Sequence, residues 1–135
     1  MGSRSKARKR ALDILFESEL RGLPPGGSLA DRQADADPPL NPYAVALVEG
    51  FVAHRDEIDA QIRQHAQGWS LERMPTVDRN ILRIAVYELG YVAEVPRAVV
   101  LSEAVALARQ LSTDDSPGFV NGVLAAIAGI TTSGP

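Results

Sequence analysis

The chain has 135 residues, a formal net charge of −3, 45% hydrophobic residues and 23% charged residues. This balance is typical of one folded domain and excludes a disordered chain. The lack of cysteine excludes a disulfide scaffold, a thiol nucleophile and a cysteine-ligated metal site. No apolar run approaches the roughly 20 residues that cross a membrane, and the basic start does not lead into the apolar segment of a secretory signal. We therefore expect a cytoplasmic protein.

Charge is distributed unevenly along the sequence. The first ten residues contain no acid and five cations, which are Arg4, Lys6, Arg8, Lys9 and Arg10. The other 125 residues hold nine cations and 17 acids, a balance of −8. A basic segment on an acidic body favours a polyanionic partner at that segment and a different partner elsewhere.

The first predicted helix runs from about Ser3 to Leu20 and ends before a segment rich in glycine and proline. Its residues follow one another at about 100° around the axis, which gives it two apolar stripes. The stripe suited to a core comprises Ala7, Ala11, Ile14 and Leu15. The second stripe, on roughly the opposite side and bordered by cations, comprises Leu12, Phe16 and Leu20. We therefore predict a core face and a separate aromatic face.

Residues 22–42 are predicted to form a loop with one weak helical turn from Ser28 to Ala36. They hold five of the nine prolines and three glycines, which favour turns over regular structure. Asn41 is predicted to cap the next helix, because proline follows it at the first helical position. The same argument makes Ser116 the cap of the last helix.

The remaining periodic segments also predict helices, so the fold class is all-α. The predicted spans are 42–52, about 55–67, 76–91, about 99–111 and about 118–130, with a single turn capped by Ser70. The span 76–91 has the widest apolar face and is predicted to be central. The chain is thus expected to be a single domain, a compact bundle of six to seven helices in two three-helix-like halves, about 3–67 and 68–130.

Catalytic and metal-binding patterns were sought without success. His54 and His65 would lie about 16.5 Å apart along one helix, so they cannot share a metal ion. Gly26-Gly27 follows no predicted strand and is not a phosphate-binding loop. Asp114-Asp115 is best explained as the acidic start of a helix, which the helix dipole favours. We expect no enzymatic activity, no metal and no cofactor.

The cations of the first helix suggest a ligand. Positive charge at a helix N-terminus opposes the helix dipole, at a cost of some tenths of a kcal/mol per residue. Arginine binds phosphate through paired N–H groups, and an aromatic ring stacks on an unpaired base. Two pairs follow the helix at i, i+4: Arg4 with Arg8, and Lys6 with Arg10. This pattern favours single-stranded nucleic acid, although a merely solubilising terminus would also explain it.

Four sequence blocks resemble the NusB family of bacterial transcription antitermination proteins. In chain order they are 8–12 (RKRAL), 77–89 (VDRNILRIAVYEL), 102–108 (SEAVALA) and 119–124 (FVNGVL). Their order and spacing agree with the family over nearly the whole chain. The resemblance implies a non-enzymatic helical protein that binds the boxA element of ribosomal or phage RNA. It also implies a heterodimer with NusE, a ribosomal small-subunit protein, within an antitermination complex on RNA polymerase.

The resemblance implies roles for individual residues. RNA contacts are expected from Arg4, Lys6, Arg8, Lys9, Phe16 and Phe119. NusE contacts are expected from Asp78, with Glu72 as a second candidate. Asp115 matches an acidic position that is linked to antitermination. Some members of the family self-associate, so a homodimer that covers the RNA surface is a further expectation.

Two alternatives remain open at this point. The first is the RNA-binding accessory domain of a ribosomal RNA methyltransferase, whose N-terminal part resembles the same fold; such an enzyme needs a cofactor domain with a glycine-rich loop, and we expect none. The second is a protein-only homodimer that uses the stripe Leu12, Phe16 and Leu20 as its interface. A DNA-binding helix-turn-helix is less favoured, because the cations lie on a terminal helix rather than on a second helix after a tight turn.

Overall fold

The computed structural model describes residues 2–129, and within them it contains helices and no strand, which confirms the all-α prediction. The helices are α1 (Ser3–Leu20), α2 (Leu29–Asp35), α3 (Pro42–Ala53), α4 (Arg55–His65), α5 (Thr76–Tyr91), α6 (Arg97–Leu111) and α7 (Ser116–Ala128). A 3₁₀ turn, Leu71–Arg73, precedes α5. None of the helices in this part of the chain is both long and apolar enough to cross a bilayer.

The helix ends agree with the sequence where local signals are strong. The Asn41 side chain accepts a hydrogen bond from the Tyr43 amide at 2.8 Å, so the predicted cap of α3 is confirmed. The predicted cap of α7 is wrong by one residue, because Asp115 occupies the cap position and the Ser116 hydroxyl binds elsewhere. Helix α6 begins two residues earlier than predicted, directly after Pro96. The expected end of the last helix, at about residue 130, lies outside the described residues.

Helix α2 lies within the predicted span Ser28 to Ala36, but it is better anchored than the predicted weak turn. Ser28 is buried, and its hydroxyl group donates to the Ile14 carbonyl of α1 at 3.1 Å. Leu29 enters the core beside it. Arg32 pairs with Glu17 of α1. Tertiary contacts with α1 therefore override the low helix preference of the segment around α2.

Helix α5 is the centre of the bundle. The helices α1, α3, α4, α6 and α7 all pack on it, which agrees with its predicted central place. These neighbours also contact one another, α1 with α3, α3 with α4, α4 with α7, and α7 with α6. Five helices thus surround α5. Residues from both predicted halves, including Phe51 and Leu124, belong to the same hydrophobic core.

The outer apolar stripe of α1 is not continuous. The predicted core stripe is buried throughout, as expected, with Ala11 and Ile14 fully covered. Leu12, however, is also in the core, which makes the prediction of a second stripe wrong at this residue. The reason is that α1 is covered by both α3 and α5, so its buried face is wide enough to include Leu12. Only Phe16, half-buried, and Leu20, exposed, remain on the outer side.

Candidate nucleic-acid interface

The basic first turns of α1 are held by contacts with other helices rather than by local capping. Gly2 provides no side-chain cap, and the first turn contains no acidic residue to favour the helix dipole. Instead the Ser5 hydroxyl donates to Glu103 of α6. The Asn41 amide before α3 donates to the Ser3 carbonyl at 3.4 Å. These contacts fix the direction in which each cation of the segment projects.

Arg8 projects inward and is only 4% exposed. Its Nε and Nη2 atoms each donate to the Glu88 carboxylate of α5 at 2.8 Å. Its Nη1 atom donates to Glu103 of α6 at 2.9 Å. The Tyr43 hydroxyl of α3 also donates to Glu88. The Arg8–Glu88 pair therefore joins four helices.

The protonation states of this cluster are well defined. Burial alone would lower the pKa of Arg8, but hydrogen bonding and charge from Glu88 outweigh it and raise that pKa. Burial, together with the hydrogen bond to Glu88 and its charge, raises the pKa of the Tyr43 hydroxyl. Arg8 is therefore a cation and Tyr43 a neutral donor throughout the physiological range.

The position of Arg8 does not fit the expectation that it contacts RNA. Its N–H groups are engaged with the protein's own carboxylates, and phosphate has no access to a group this deeply buried. The physical reason is its place on the helix, since Arg8 precedes the core residues Ala11 and Leu15 by three and seven positions. This spacing is visible in the sequence and indicates that Arg8 faces the core, but a count of cations does not take it into account.

The remaining cations of the segment are accessible. Lys6 and Arg10 are exposed and Lys9 is half-buried. None of the three forms an ion pair with another residue between positions 2 and 129. Arg4 lies 3.6 Å from the exposed carboxylate of Glu94. Arg4 is accessible but lies on the Arg8 side of the helix, with its guanidinium carbon 4.7 Å from the centre of the Tyr43 ring. We call the four accessible cations, Arg4, Lys6, Lys9 and Arg10, the outer basic surface. Arg10 was not among the expected RNA contacts, although its i, i+4 spacing from Lys6 was visible.

The outer basic surface borders a groove. Lys6 and Arg10 form one wall, and residues 35–41, between α2 and α3, form the other. Pro38, Pro39 and Leu40 make part of the second wall apolar. The carboxylates of Asp35 and Asp37 also line this second wall. The positive charge that suits a strand of nucleic acid therefore lies on the wall formed by Lys6 and Arg10.

The two predicted aromatic residues occupy different surroundings. Phe16 is half-buried on α1, two turns beyond Lys9 on the same side of the helix. Phe119, in the first turns of α7, is partly buried against the core. Its ring centroid lies 6.1 Å from that of Trp69, and the two planes are tilted by 53°. The sequence gives no signal for Trp69, because it lies between periodic segments.

Asp78 is buried, which does not fit the expected contact with a partner protein. It is 3% exposed, and its carboxylate accepts hydrogen bonds from Ser112 and, at 2.8 Å, from Ser116. Because Asp78 is in the first turn of α5, these bonds attach α5 to the end of α6 and the start of α7. The carboxylate positions these helices and presents no charge to the surface.

The other two acidic candidates are accessible. Glu72 is exposed and lies 3.4 Å from Arg63. A backbone hydrogen bond and the Arg63 guanidinium lower the pKa of Glu72. Asp115 is exposed at the cap position of α7, and its side chain makes no capping hydrogen bond. Both carboxylates can therefore meet a partner directly.

Three further polar residues of the 77–89 block connect α5 to α1 and α4. Arg79 and Asn80 of α5 donate to Glu19 near the end of α1, each at 3.0 Å. Burial would raise the pKa of Glu19, but these hydrogen bonds outweigh it and lower that pKa. Arg83 forms a buried pair with Asp59 of α4 at 2.9 Å. Within residues 2–129, no histidine and carboxylate cluster has the composition of a metal site.

Comparison with known proteins agrees with this geometry. The NusB family profile matches residues 5–129. The transcription antitermination protein NusB of Acidothermus cellulolyticus is 62% identical over 139 residues, which cover all of this chain and 96% of that protein. The protein of the same name from Salinispora tropica is 58% identical over 135 residues, covering 98% of this chain and 99% of that one.

Solved structures share the fold as well. NusB of T. maritima has a TM-score of 0.85 and 30% identity, over 95% of this chain and 92% of that chain. A crystal structure of antitermination factors NusB and NusE in complex with double-stranded RNA contains a chain with a TM-score of 0.75 and 33% identity, over 93% of this chain and 96% of that chain. Since sequence, fold and coverage agree from one end of the described chain to the other, the chain belongs to the NusB family.

Proposed function

We propose that the chain is a transcription antitermination factor that binds boxA-type single-stranded RNA together with NusE and acts on ribosomal RNA transcription. The observation that carries this proposal is the outer basic surface of α1, whose Lys6, Lys9 and Arg10 have no ion pair among residues 2–129. The structure of a related NusB and NusE in complex with double-stranded RNA supports NusE and RNA as partners.

The phosphates of the strand lie against the outer basic surface. Lys6 and Arg10, along one wall of the groove, bind successive phosphates, and Lys9 directs the strand toward Phe16. Arg4 exchanges Glu94 for phosphate, because an exposed ion pair is worth only about 0–1 kcal/mol. Phe16 offers its half-exposed ring for stacking on a base. Arg8 contributes indirectly by holding this segment in place.

The acidic body faces the protein partner. Beyond the first ten residues the balance of charge is −8, which attracts a basic ribosomal protein. Glu72 and Asp115 are the accessible carboxylates among the expected contacts. Asp78 has an indirect role: by accepting a hydrogen bond from Ser116 it fixes the start of α7, where Asp115 lies. The complex so formed is the unit that joins the antitermination assembly on RNA polymerase.

The two alternatives are less favoured. The two relatives described above are named antitermination proteins, not methyltransferases. Each aligns with this chain over nearly the full length of both proteins. A homodimer through the outer stripe of α1 would have only Phe16 and Leu20 to bury, since Leu12 is in the core. Light scattering, which measures the mass of the protein in solution, tests for the homodimer.

Binding of a labelled boxA RNA, followed by fluorescence anisotropy with and without NusE, tests the proposal. We expect the single-stranded boxA RNA to bind more tightly than a scrambled RNA or a boxA duplex, and NusE to tighten it further. The double reversal Lys6→Glu and Arg10→Glu should abolish binding. The matched control, Arg55→Glu and Arg109→Glu, changes the net charge equally at exposed positions on α4 and α6. Equal losses in both variants, or no preference for boxA, would contradict the proposal.

A further inference from the structure

Trp69 and Phe119 form an exposed aromatic pair away from α1. Trp69 lies just before the 3₁₀ turn and is 48% exposed, although a tryptophan gains more than most residues from being covered. Phe119 of α7 supports one edge of it, with ring centroids 6.1 Å apart and planes tilted by 53°. The indole ring is thus supported by Phe119 at one edge while much of its surface remains open.

The backbone beside the pair keeps this surface accessible. Gly68 has a φ of +82°, and no heavy atom lies within 4 Å of where a Cβ would be. This left-handed turn ends the segment after α4 and presents Trp69 outward. Gly68, Trp69, Ser70 and Arg73 together line a shallow groove.

Arg73 supplies a free positive charge in the same groove. Its side chain is exposed and forms no ion pair within the described part of the chain. The neighbouring Glu72 is paired instead with Arg63, at 3.4 Å. The groove therefore holds an open indole ring and an uncompensated guanidinium group.

We infer that Trp69, Phe119 and Arg73 form a second binding site for single-stranded RNA, in which a nucleobase stacks on Trp69 and its phosphate pairs with Arg73. An aromatic platform next to a cation is the combination that binds single strands regardless of sequence. Within the groove, the phosphate of a strand meets the opposite charge at Arg73. The inference rests on the proposed function, since it assigns a further stretch of the same strand.

The chain carries its own probe for this site, because Trp69 is its only tryptophan. The full chain, without NusE, is titrated with single-stranded boxA RNA while tryptophan emission and the anisotropy of the labelled RNA are recorded. We expect the RNA to quench the emission with the same midpoint as the anisotropy. We also expect Trp69→Leu to weaken binding at least about fivefold, since stacking contributes about 1–3 kcal/mol per base.

Matched variants separate stacking from charge and from loss of structure. Arg73→Gln should weaken binding and reduce the salt slope of log affinity by about 0.7. Trp69→Phe keeps an aromatic ring and should retain most of the RNA affinity. If Trp69→Leu loses its helical circular dichroism, Trp69→Phe and Arg73→Gln still test the site. Tyr91→Leu removes an aromatic side chain that is 43% exposed at the other end of α5, and it should bind RNA as the wild type does.

Each other outcome has one meaning. One such outcome is that anisotropy shows RNA binding while the tryptophan emission of the wild type does not change and Trp69→Leu binds as tightly as the wild type. In that case the second site is wrong and the proposed function stands. If the emission changes only when NusE is added, the groove binds the protein partner and the inference is overturned. If no RNA binds in either measurement, the proposed function fails and the second site fails with it.

Discussion

Arg8 and Arg10 are two residues apart on one helix, and the structure uses them in opposite ways. Arg8 is buried and bonded to Glu88 and Glu103, whereas Arg10 is exposed and has no ion pair among residues 2–129. Two residues along a helix correspond to a rotation of about 200°, so neighbouring cations face opposite sides. The number of cations in a segment therefore overstates how many phosphates it can bind.

The two sides of this segment separate stability from binding. A buried ion pair that loses one partner leaves an uncompensated charge in the interior. An exposed cation contributes little to stability and remains available to a ligand. We therefore expect substitutions on the inner side to affect folding and substitutions on the outer side to affect RNA affinity.

The largest expected effect is the loss of Arg8. Arg8→Ala leaves Glu88 buried without its cation and should lower the free energy of unfolding by roughly 3–5 kcal/mol. Urea unfolding followed by circular dichroism measures this. Arg10→Ala is the matched control and should change stability by no more than about 0.5 kcal/mol. Similar small changes in both variants would contradict the structural role of Arg8.

The next largest effect is expected at Asp78. Asp78→Ala removes the carboxylate that accepts from Ser112 and Ser116, and should cost about 1.5–3 kcal/mol of unfolding free energy. Glu72→Gln, at an exposed position, should be nearly neutral in the same urea titration. If Asp78→Ala retained full stability but lost NusE binding, the carboxylate would be a direct contact after all.

A smaller, pH-dependent effect is expected at Glu19. Its folded pKa lies below the ordinary 4.5, because Arg79 and Asn80 bond the ionised form. Its stabilising contribution is therefore complete above about pH 4.5 and is lost as the pH falls through the folded pKa. Glu19→Gln should be less stable than the wild type by about 1 kcal/mol at pH 7. Thermal unfolding should show this difference shrinking toward pH 3, and a difference independent of pH would argue against the assignment.

The smallest effect is expected at the exposed pair of Arg4 and Glu94. Glu94→Gln should change the free energy of unfolding by less than about 0.5 kcal/mol, since the Glu94 side chain is largely in water and that of Arg4 is about half exposed. It should raise RNA affinity slightly, because Arg4 no longer has a competing carboxylate. Anisotropy titration at low salt is the suitable measurement. A loss of affinity would mean that Glu94 orients Arg4 for RNA.

The sequence predicts the fold well where the signals are local. The spans of α1, α3 and α5 follow from apolar periodicity and from the Asn41 cap, which depend only on near neighbours. The anchoring of α2 does not, because Ser28 donates to a carbonyl of α1 that the local sequence cannot reveal.

The candidate site is predicted in part. That the start of α1 is basic follows from composition. Arg8 and Asp78 match their motifs in residue type, but their burial depends on α5, α6 and α7 packing around them. Trp69 has no periodic neighbours, so only the folded chain shows that it lies against Phe119.

The salt dependence of boxA RNA binding tests the central claim most directly. The four accessible cations of α1, at about 0.7 each for a single strand, are predicted to contribute about −3 to the wild-type slope of log affinity against log salt. The double variant Lys6→Gln and Arg10→Gln should retain the fold and reduce the magnitude of this slope by about half. A wild-type slope close to zero, or the same slope in both proteins, would contradict the assignment of phosphate binding to the outer face of α1.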